Sequence, residues 1–579
     1  MDEVTPKKRV RKSTPPGDPP ARASKKVNPK PAAPDHLTMS LFAPGMSALH
    51  RAGLGGLACT LHKMEQDYKK DLLKADQLPA PFVDDLPPWE IDEQSVTLRF
   101  GKPEKASEYL RKLFEFAFSI RKDGLICLPG QHHAEPSTAI LADLQAGLTL
   151  TFLQHGRVRA LAKEPTTATF DPTGEGVPSV TVQYKKCSGF KHQQGWTEFV
   201  DKTGCLVTGL MNIEGPLSPG TVVRHVAFTG ATGATDRPDR MLPLYFALVG
   251  CLSLPVNRGV AALLVPDVTN LTDFIFDRPA MTPSTATESQ IANAADAAFR
   301  AQVRLRKNPR RTAEVRSRAQ TLVSLTVPGC YAMTFTPTPW ASQQKSRVAT
   351  IHVPTGDDRL LERYERAAQH LPARVVVRTI KESTGKGKAK VTAERQEAFR
   401  TDSIVRPLIA ENLALGRKWY AGFSKFMTKI NPGTDKPFRD QLPFERKGLN
   451  DMAADEKMWD EAGERLVVQA VHEAMRMRYG QIAEENKGKI KAMENRMQGF
   501  RDKLRLGLVG AKTEAQVRLA LMDLFSRGGN NAVLREGWQQ ILLVIRKDWH
   551  LTRDLGLLAL ASYAGKAEPN NVTLTSESN

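Results

Sequence analysis

The segment SVTLRFGKPEKASEYLRKLFEFAF, residues 95–118, decides the fold class of this chain. Val96, Leu98 and Phe100 alternate with polar residues, a pattern that predicts a strand. After Pro103, apolar residues recur at three- and four-residue spacing, which predicts a helix with one face in a core. A strand followed at once by such a helix indicates a body of mixed α and β structure.

Comparable patterns extend over the first two thirds of the chain. A helix is predicted over residues 136–146, with Gly147 closing it. Thr285 and Glu288 form a capping box, which predicts a second helix that runs to about Arg306. Short apolar and β-branched runs predict strands at 125–128, 148–153, 222–228, 259–265, 324–327, 331–336, 347–353 and 375–380.

The last third of the chain changes character at about residue 401. Apolar residues there recur at helical spacing, as at Val467, Val471 and Met475, and little alternation remains. The expected fold class is therefore α+β, a mixed α/β amino-terminal body with β-rich insertions followed by an all-α carboxy-terminal helical bundle. The expected parts are a disordered basic, proline-rich tail at 1–36, the body at 37–400, with a division into two subdomains near 155–220 as an alternative, and the bundle at 401–579.

The composition argues against several classes of protein. Six cysteines without a CxxC pair are too few for a disulfide framework and form no zinc ribbon, which favours a reducing cytoplasm. The most apolar stretch, residues 241–254, contains Pro243 and falls short of the ~18 residues that a membrane span requires. The sequence contains no phosphate-loop, HExxH or GxSxG motif.

Two further motifs have simple interpretations. The glycines of residues 53–56 do not follow the dinucleotide-binding spacing and are predicted to form a tight turn. His132, His133 and Glu135 are possible metal ligands, but adjacent histidines point apart, so a polar surface turn is favoured. We therefore expect no enzymatic activity, no cofactor and no bound metal.

Positive charge is the strongest functional signal in the sequence. The chain has 82 Lys+Arg against 63 Asp+Glu, a net charge of +19, spread over several clusters. Such clusters favour a polyanion contacted at several points, because each neutralised phosphate releases counterions; the alternative is a solvated charged surface. The residues expected on a nucleic-acid backbone are Arg300, Arg304, Arg306, Arg310, Arg311, Lys386, Lys388 and Lys390.

Two polar segments are candidates for reading base edges. Residues 185–196 have no apolar periodicity and are predicted to form an exposed loop. Residues 339–347 are predicted to form a loop between two strands. Both segments contain amide and basic side chains, which can read groove edges, although solubilising turns remain the alternative.

Four stretches of the sequence resemble a known family, the large subunit of type I CRISPR surveillance complexes (Cascade), in its I-A/I-B-like myxobacterial variety. They are LFAPGMSALHRAGLGGL (41–57), LLVPDVTNLTDF (263–274), YAMTFTPTPWASQQKSR (331–347) and RPLIAENLALGRKWYAGF (406–423). The resemblance implies a non-catalytic bacterial protein that recognises the protospacer-adjacent motif (PAM), promotes duplex opening and R-loop formation, and guides the displaced strand. Base pairing with the guide RNA then supplies most of the sequence specificity.

The resemblance also implies partners and contact residues. The expected partners are a CRISPR guide RNA, target double-stranded DNA, the Cascade backbone and guide-processing subunits, a small subunit translated from an internal start near Met452, and a helicase-nuclease or a transposition adaptor. A free-standing nucleic-acid-binding regulator and a metal-dependent nuclease are the alternatives. The residues expected to contact the motif or the duplex are Lys185, Lys191, Gln193, Gln194, Gln343, Gln344, Lys345 and Arg347.

Overall fold

The computed structural model describes residues 33–171, 179–219, 234–256, 259–308, 328–338, 341–354, 358–384, 391–431 and 436–565. The predicted strands at 222–228 and 324–327 lie outside these ranges, as does nearly all of the predicted tail. The strand and helix expected within residues 95–118 are confirmed, as is a strand at each of the predicted positions from 331 to 380.

In its described residues, the amino-terminal part of the body combines short antiparallel strands with four helices. Its elements are β1 His36–Ser40, α1 Ala48–Lys69, β2 Trp89–Ile91, β3 Ser95–Arg99, α2 Ala106–Ala117, β4 Ser119–Ile120, β5 Ile126–Cys127, α3 Thr138–Leu150, β6 Arg159–Leu161, β7 Thr166–Phe170, β8 Val180–Tyr184, β9 Cys187–Phe190, β10 Met211–Asn212, β11 Thr235–Asp236 and α4 Pro238–Gly250. Strand β3 is the central strand of a sheet with the order β1-β3-β2.

The rest of the body is built around two four-stranded sheets. Its elements are β12 Leu252–Pro255, β13 Ala261–Pro266, α5 Leu271–Met281, α6 Ala294–Lys307, β14 Cys330–Thr338, β15 Ala341–Val353, α7 Asp358–His370, β16 Arg374–Thr384 and β17 Val391–Thr401. One sheet has the order β12-β13-β14-β15 and the other β16-β17-β8-β7. In the second sheet, β17 joins β8 in parallel through Ala398 and Val180, so distant segments complete one sheet.

Where the structure describes it, the carboxy-terminal part is helical apart from one short strand pair. Its elements are α8 Arg406–Ala414, α9 Phe423–Thr428, β18 Ile430–Asn431, β19 Lys436–Pro437, α10 Arg446–Ala454, α11 Ala462–Glu485, α12 Ile490–Gly510, α13 Glu514–Arg527, α14 Ala532–Lys547 and α15 Trp549–Ser562. Helix α11 packs against α14 and α15. The predicted α+β class, an α/β body followed by a helical bundle, is confirmed.

Close helix packing explains the glycines of residues 53–56, for which the predicted tight turn is wrong. They lie inside α1, which packs along α4. A Cβ atom on Gly53 would stand 1.9 Å from the carbonyl oxygen of Pro243, and one on Gly56 would stand 2.4 Å from that of Phe246. Glycine is required at these positions because the two backbones touch.

The predicted end of α3 is also wrong, and close packing is again the reason. Gly147 does not close this helix but lies within it, and the strand predicted at 148–153 is absent from the described residues because the helix continues to Leu150. A Cβ atom on Gly147 would stand 2.4 Å from the carbonyl oxygen of Ser253 in β12. This glycine lets helix and strand approach each other closely.

The predicted start of α6 is also wrong. The helix begins at Ala294, where the side chain of Asn293 accepts a hydrogen bond from the backbone N–H of Asp296 at 2.8 Å. Thr285 Oγ1 does accept the backbone N–H of Glu288, at 3.2 Å, but this bond stabilises a separate turn before the helix. A capping pattern can stabilise an isolated turn as well as a helix end.

The apolar stretch at 241–254 lies inside the body. Helix α4, in which Pro243 occupies an interior position, is almost entirely buried. Within the described ranges, no helix is both long and apolar enough to cross a membrane.

Candidate nucleic-acid interface

The segment 185–196 is largely folded into the body, so the prediction of an exposed loop is wrong. Cys187 and Phe190 of β9 are buried, and the following 3-10 helix, Lys191–Glu198, buries His192 completely. A Cβ atom on Gly195 would stand 2.1 Å from Cε1 of Tyr245 in α4. Contact with α4 holds the segment in place, although the segment itself has no apolar periodicity.

Internal contacts occupy two of the predicted reading residues in this segment. Lys191 pairs with Glu198 and Glu214. Gln193 donates from Nε2 to the carbonyl oxygen of Phe118 at 2.9 Å and accepts the backbone N–H of Phe190 at 3.1 Å. Lys185 and Gln194, in contrast, are exposed.

Four exposed lysines lie where β6, β9 and the turn before β5 meet, and we call them the basic rim: Lys122, Lys163, Lys185 and Lys186. The backbone N–H of Ala162 donates to the carbonyl oxygen of Lys186 at 2.8 Å, which brings residues 163 and 186 together. The turn that carries Lys122 is joined to the same strand, because Cys187 N–H donates to the carbonyl oxygen of Gly124 at 2.7 Å. The rim is therefore set by backbone contacts between three segments.

A polar sheet face adjoins the basic rim. On β8, Thr181 and Gln183 are exposed while Val180, Val182 and Tyr184 are buried. Antiparallel pairing sets Thr167 of β7 opposite Gln183, and Thr169 opposite Thr181. Since Lys185 directly follows β8, the polar face leads into the rim. Hydroxyl, amide and ammonium groups of this kind can hydrogen-bond to phosphates and base edges.

The segment 339–347 lies mostly in a strand, so the predicted loop is wrong. Residues 341–353 form β15, the edge strand of the first sheet, and the backbones of Gln343, Gln344 and Lys345 belong to it. Arg347 is exposed. The sheet of β15 is not the sheet of β8, so hydrogen bonding does not join the two groups of predicted reading residues.

The arginines of α6 are held by the protein itself. Arg304 is half-buried and donates to the carbonyl oxygen of Met281 at 3.0 and 2.6 Å, and desolvation lowers its pKa to about 10. Arg306 pairs with Glu365 of α7. Internal partners thus satisfy charges that we expected a polyanion to neutralise. Arg310, Arg311, Lys386, Lys388 and Lys390 lie outside the described residues.

Arg300 belongs to a buried charge network between α6, α7 and α8. Asp296 accepts from Nε of Arg406 at 2.6 Å and from the hydroxyl of Tyr364 at 2.5 Å, and it lies 3.4 Å from Nε of Arg300. Burial alone would raise the pKa of Asp296, but Arg406 and Arg300 outweigh it and hold that pKa below its ordinary value. Burial raises the pKa of Asp402, which also pairs with Arg406. The network fixes three helices rather than a ligand.

The predicted surface turn at residues 132–135 is partly buried. His132 is 8% exposed, and burial lowers its pKa to about 3. Its neighbour Gln131 donates to the carbonyl oxygen of Leu248 at 2.7 Å, next to Arg278, which donates to that of Val249 at 2.8 Å. These two side chains satisfy carbonyl groups at the end of α4. Among the described residues, no group of three or more His, Cys, Asp or Glu side chains could hold a metal ion.

Sequence reasoning singled out Lys185 and the segment that contains Lys186, but it missed Lys122 and Lys163. The four lysines are separated in sequence by up to 64 residues, between Lys122 and Lys186, and backbone hydrogen bonds between distant segments bring them together. The sequence did contain one indication of the rim. The pair Lys185-Lys186 directly follows a strand with alternating apolar residues, where exposed charges are expected.

Comparisons with known proteins agree with this architecture. Residues 38–245 match the DevT N-terminal domain, and residues 455–579 match the DevT C-terminal domain. The chain is 35% identical over 564 residues to the CRISPR-associated protein Cas8a1/Csx13 of Myxococcus xanthus (strain DK1622), a match that covers 94% of this chain and 92% of that protein.

Proposed function

We propose a function for this chain from its family, since it belongs to the Cas8a1/Csx13 family of large subunits of type I CRISPR complexes. In this proposal the chain is a non-catalytic subunit of a guide-RNA complex in the bacterial cytoplasm. It recognises a PAM in double-stranded DNA, promotes duplex opening and R-loop formation, and guides the displaced strand. Its partners are the backbone and guide-processing subunits and a downstream helicase-nuclease or transposition adaptor.

The observation that carries this proposal is the basic rim beside the polar face of β7 and β8. The four lysines stand on backbone fixed by hydrogen bonds, so they lose less conformational freedom on binding phosphates than lysines on a flexible segment would. Thr181 and Gln183 supply short hydrogen-bonding groups next to them. Reading a short motif requires lysines that hold the phosphates and a neutral surface that contacts the groove edges.

A triple substitution tests the rim. Lys163, Lys185 and Lys186 changed together to Ala should weaken binding of the assembled complex to every duplex. If each lysine neutralises one phosphate, the slope of log affinity against log salt should fall by roughly 2 to 3. Fluorescence anisotropy with duplexes that carry or lack the motif, at several salt concentrations, measures both quantities.

The matched control removes three exposed lysines from another part of the body. Lys69, Lys102 and Lys105 changed to Ala subtract the same charge, so a general effect of net charge would appear in both triple variants. Equal salt slopes in the two variants would contradict the rim as the duplex contact. Specific DNA binding by the purified chain without RNA would instead favour a free-standing regulator.

In addition to the polar face of β7 and β8, we propose that Gln194 and the hairpin of β14 and β15 contact the motif. Single Gln194→Ala, Gln343→Ala or Lys345→Ala variants should weaken binding to motif-bearing targets about 10-fold and leave non-motif duplexes unchanged, as each removes contacts to a base edge. Competition between the two duplexes measures the ratio. An equal loss on both duplexes would assign these residues to the backbone instead.

The carboxy-terminal match begins at residue 455, three residues after Met452, which supports the proposed internal start. Met452 is fully buried in α10, so a change to Leu, of similar volume, should cost less than about 1.5 kcal/mol. Met452→Leu should abolish a short carboxy-terminal product while the full-length chain persists. Immunoblotting with a carboxy-terminal tag measures both, and persistence of the short product would refute a start at this codon.

A further inference from the structure

A tight turn at residues 83–86 carries two exposed apolar side chains. Val83 and Leu86 bond to each other through both backbone N–H groups, at 3.0 and 2.9 Å. Their side chains are 67% and 69% exposed. Residues paired across such a turn lie on the same side of it, so they form one small apolar surface.

The two residues between them are acidic and adopt an uncommon conformation. Asp84 and Asp85 have φ angles of 48° and 61°, in the left-handed region that glycine and asparagine favour. Both carboxylates are exposed, and neither forms an ion pair within the part of the chain that the structure describes. The turn thus holds two exposed negative charges beside its apolar pair.

Aromatic contacts hold the turn in position. Phe82 lies 4.7 Å from the ring of Tyr68 at the end of α1 and 5.8 Å from that of Trp89 in β2. The first contact also brings the turn near the loop after α1, where Leu72 is 72% exposed. The apolar side chains are therefore presented on anchored backbone, which lowers the entropic cost of binding a partner.

The charge of this region differs from that of the chain as a whole. Residues 76–93 contain six acidic residues and no Lys or Arg, in a chain of net charge +19. Carboxylates repel phosphates, so this surface does not suit nucleic acid. Exposed apolar side chains beside them favour a protein that carries apolar and basic residues together.

We propose that the turn of Val83, Asp84, Asp85 and Leu86 is a docking surface for another protein, which binds through a basic segment with an apolar anchor. The inference is compatible with the proposed function, because proteins that coat a guide RNA must themselves be basic, but it does not depend on that function. The apolar pair supplies contact area, and the two aspartates select for Lys or Arg beside the anchor.

Photo-crosslinking in the native host tests this proposal. The full-length chain carries p-benzoylphenylalanine in place of Val83, and mass spectrometry identifies the attached peptide after irradiation. We expect a peptide of another protein with Lys or Arg within a few residues of the crosslinked position. Crosslinks to nucleic acid or to residues 1–32 of this chain, or none above the level of a label at the exposed Leu415, would overturn the proposal.

Substitutions then test the chemistry of the contact. Val83→Ser with Leu86→Ser should lower recovery of the crosslink-identified partner at least 10-fold, whereas the control Leu415→Ser should not. Asp84→Asn with Asp85→Asn keeps a residue that tolerates the left-handed region and removes the charge, so it should weaken binding at low salt and have little effect at high salt. Unchanged recovery in both double variants would overturn the proposal, and thermal unfolding confirms that each variant is folded.

The test separates this inference from the proposed function. If the wild-type chain co-purifies without a guide RNA while the label at residue 83 still reaches a basic protein segment, the surface stands and the CRISPR function fails. If the guide RNA is present and the label reaches only nucleic acid, the function stands and the docking surface fails.

Discussion

At the scale of single residues, several histidines are buried in neutral form. Burial lowers the pKa of His132 and His192 to about 3 and that of His472 to about 4. The unfolded chain binds more protons than the folded one below pH 6.5, so the stability these residues contribute is complete above that pH and is lost as pH falls towards the folded pKa. Within that window each of these residues lowers the free energy of unfolding by on the order of 1 kcal/mol for each unit that the pH falls.

His192 provides the test of this effect. It is surrounded by Phe118, Phe190 and Tyr245, and neither ring nitrogen has a hydrogen-bond partner among the described residues. His192→Phe should therefore leave stability at pH 7 unchanged or higher and reduce the loss of stability between pH 6.5 and 5. Urea unfolding of both proteins at several pH values measures this difference, and parallel pH profiles would show that His192 does not remain neutral on folding.

At the scale of elements, glycines decide how closely helices pack. Gly56→Ala should destabilise the body by several kcal/mol although alanine favours helix, because its Cβ would meet the backbone of α4. In the control, Gly499→Ala in α12, a Cβ meets nothing within 4 Å, and helix propensity should stabilise the chain by about 0.5 to 1 kcal/mol. Thermal unfolding measures both changes; equal signs would show that the α1–α4 contact is looser than described.

Local patterns account for the predictable elements and long-range contacts for the errors. Helix α2 follows from its own apolar spacing, whereas the role of Gly56 or Gly147 depends on a partner far along the chain. The residues of the candidate site show the same difference between local and long-range effects. Lys185 is exposed as its sequence context indicates, but Arg304 is half-buried and donates to the carbonyl oxygen of Met281, which a count of charges does not reveal.

At the scale of the whole molecule, one hydrophobic core runs from the body into the bundle. It includes Leu141 of α3, Tyr364 of α7, Met452 of α10 and Leu558 of α15. Helix α10 contacts both α7 and α15. The predicted boundary near residue 400 therefore falls where the body and the bundle share one continuous core.

This continuity predicts how a fragment that begins at Met452 should behave. The fragment lacks Leu449 and two helices that pack on its remaining parts in the intact chain, α7 on α10 and α9 on α15. We expect its amides in α15 to exchange with deuterium more than 10-fold faster than in the full-length protein. Equal exchange would show that the bundle is stabilised by its own contacts alone. The full-length chain under the same conditions is the reference.

The parallel contact between β17 and β8 has a consequence for the order of synthesis. The edge of β8 that meets Ala398 is complete when Val180 leaves the ribosome, but its partner follows more than 200 residues later. At 5 to 20 residues per second, that interval is about 10 to 40 seconds. During this time the nascent chain carries an unpaired strand edge of the kind that promotes aggregation, so production of this protein should depend on translation rate and on chaperones that cover such edges.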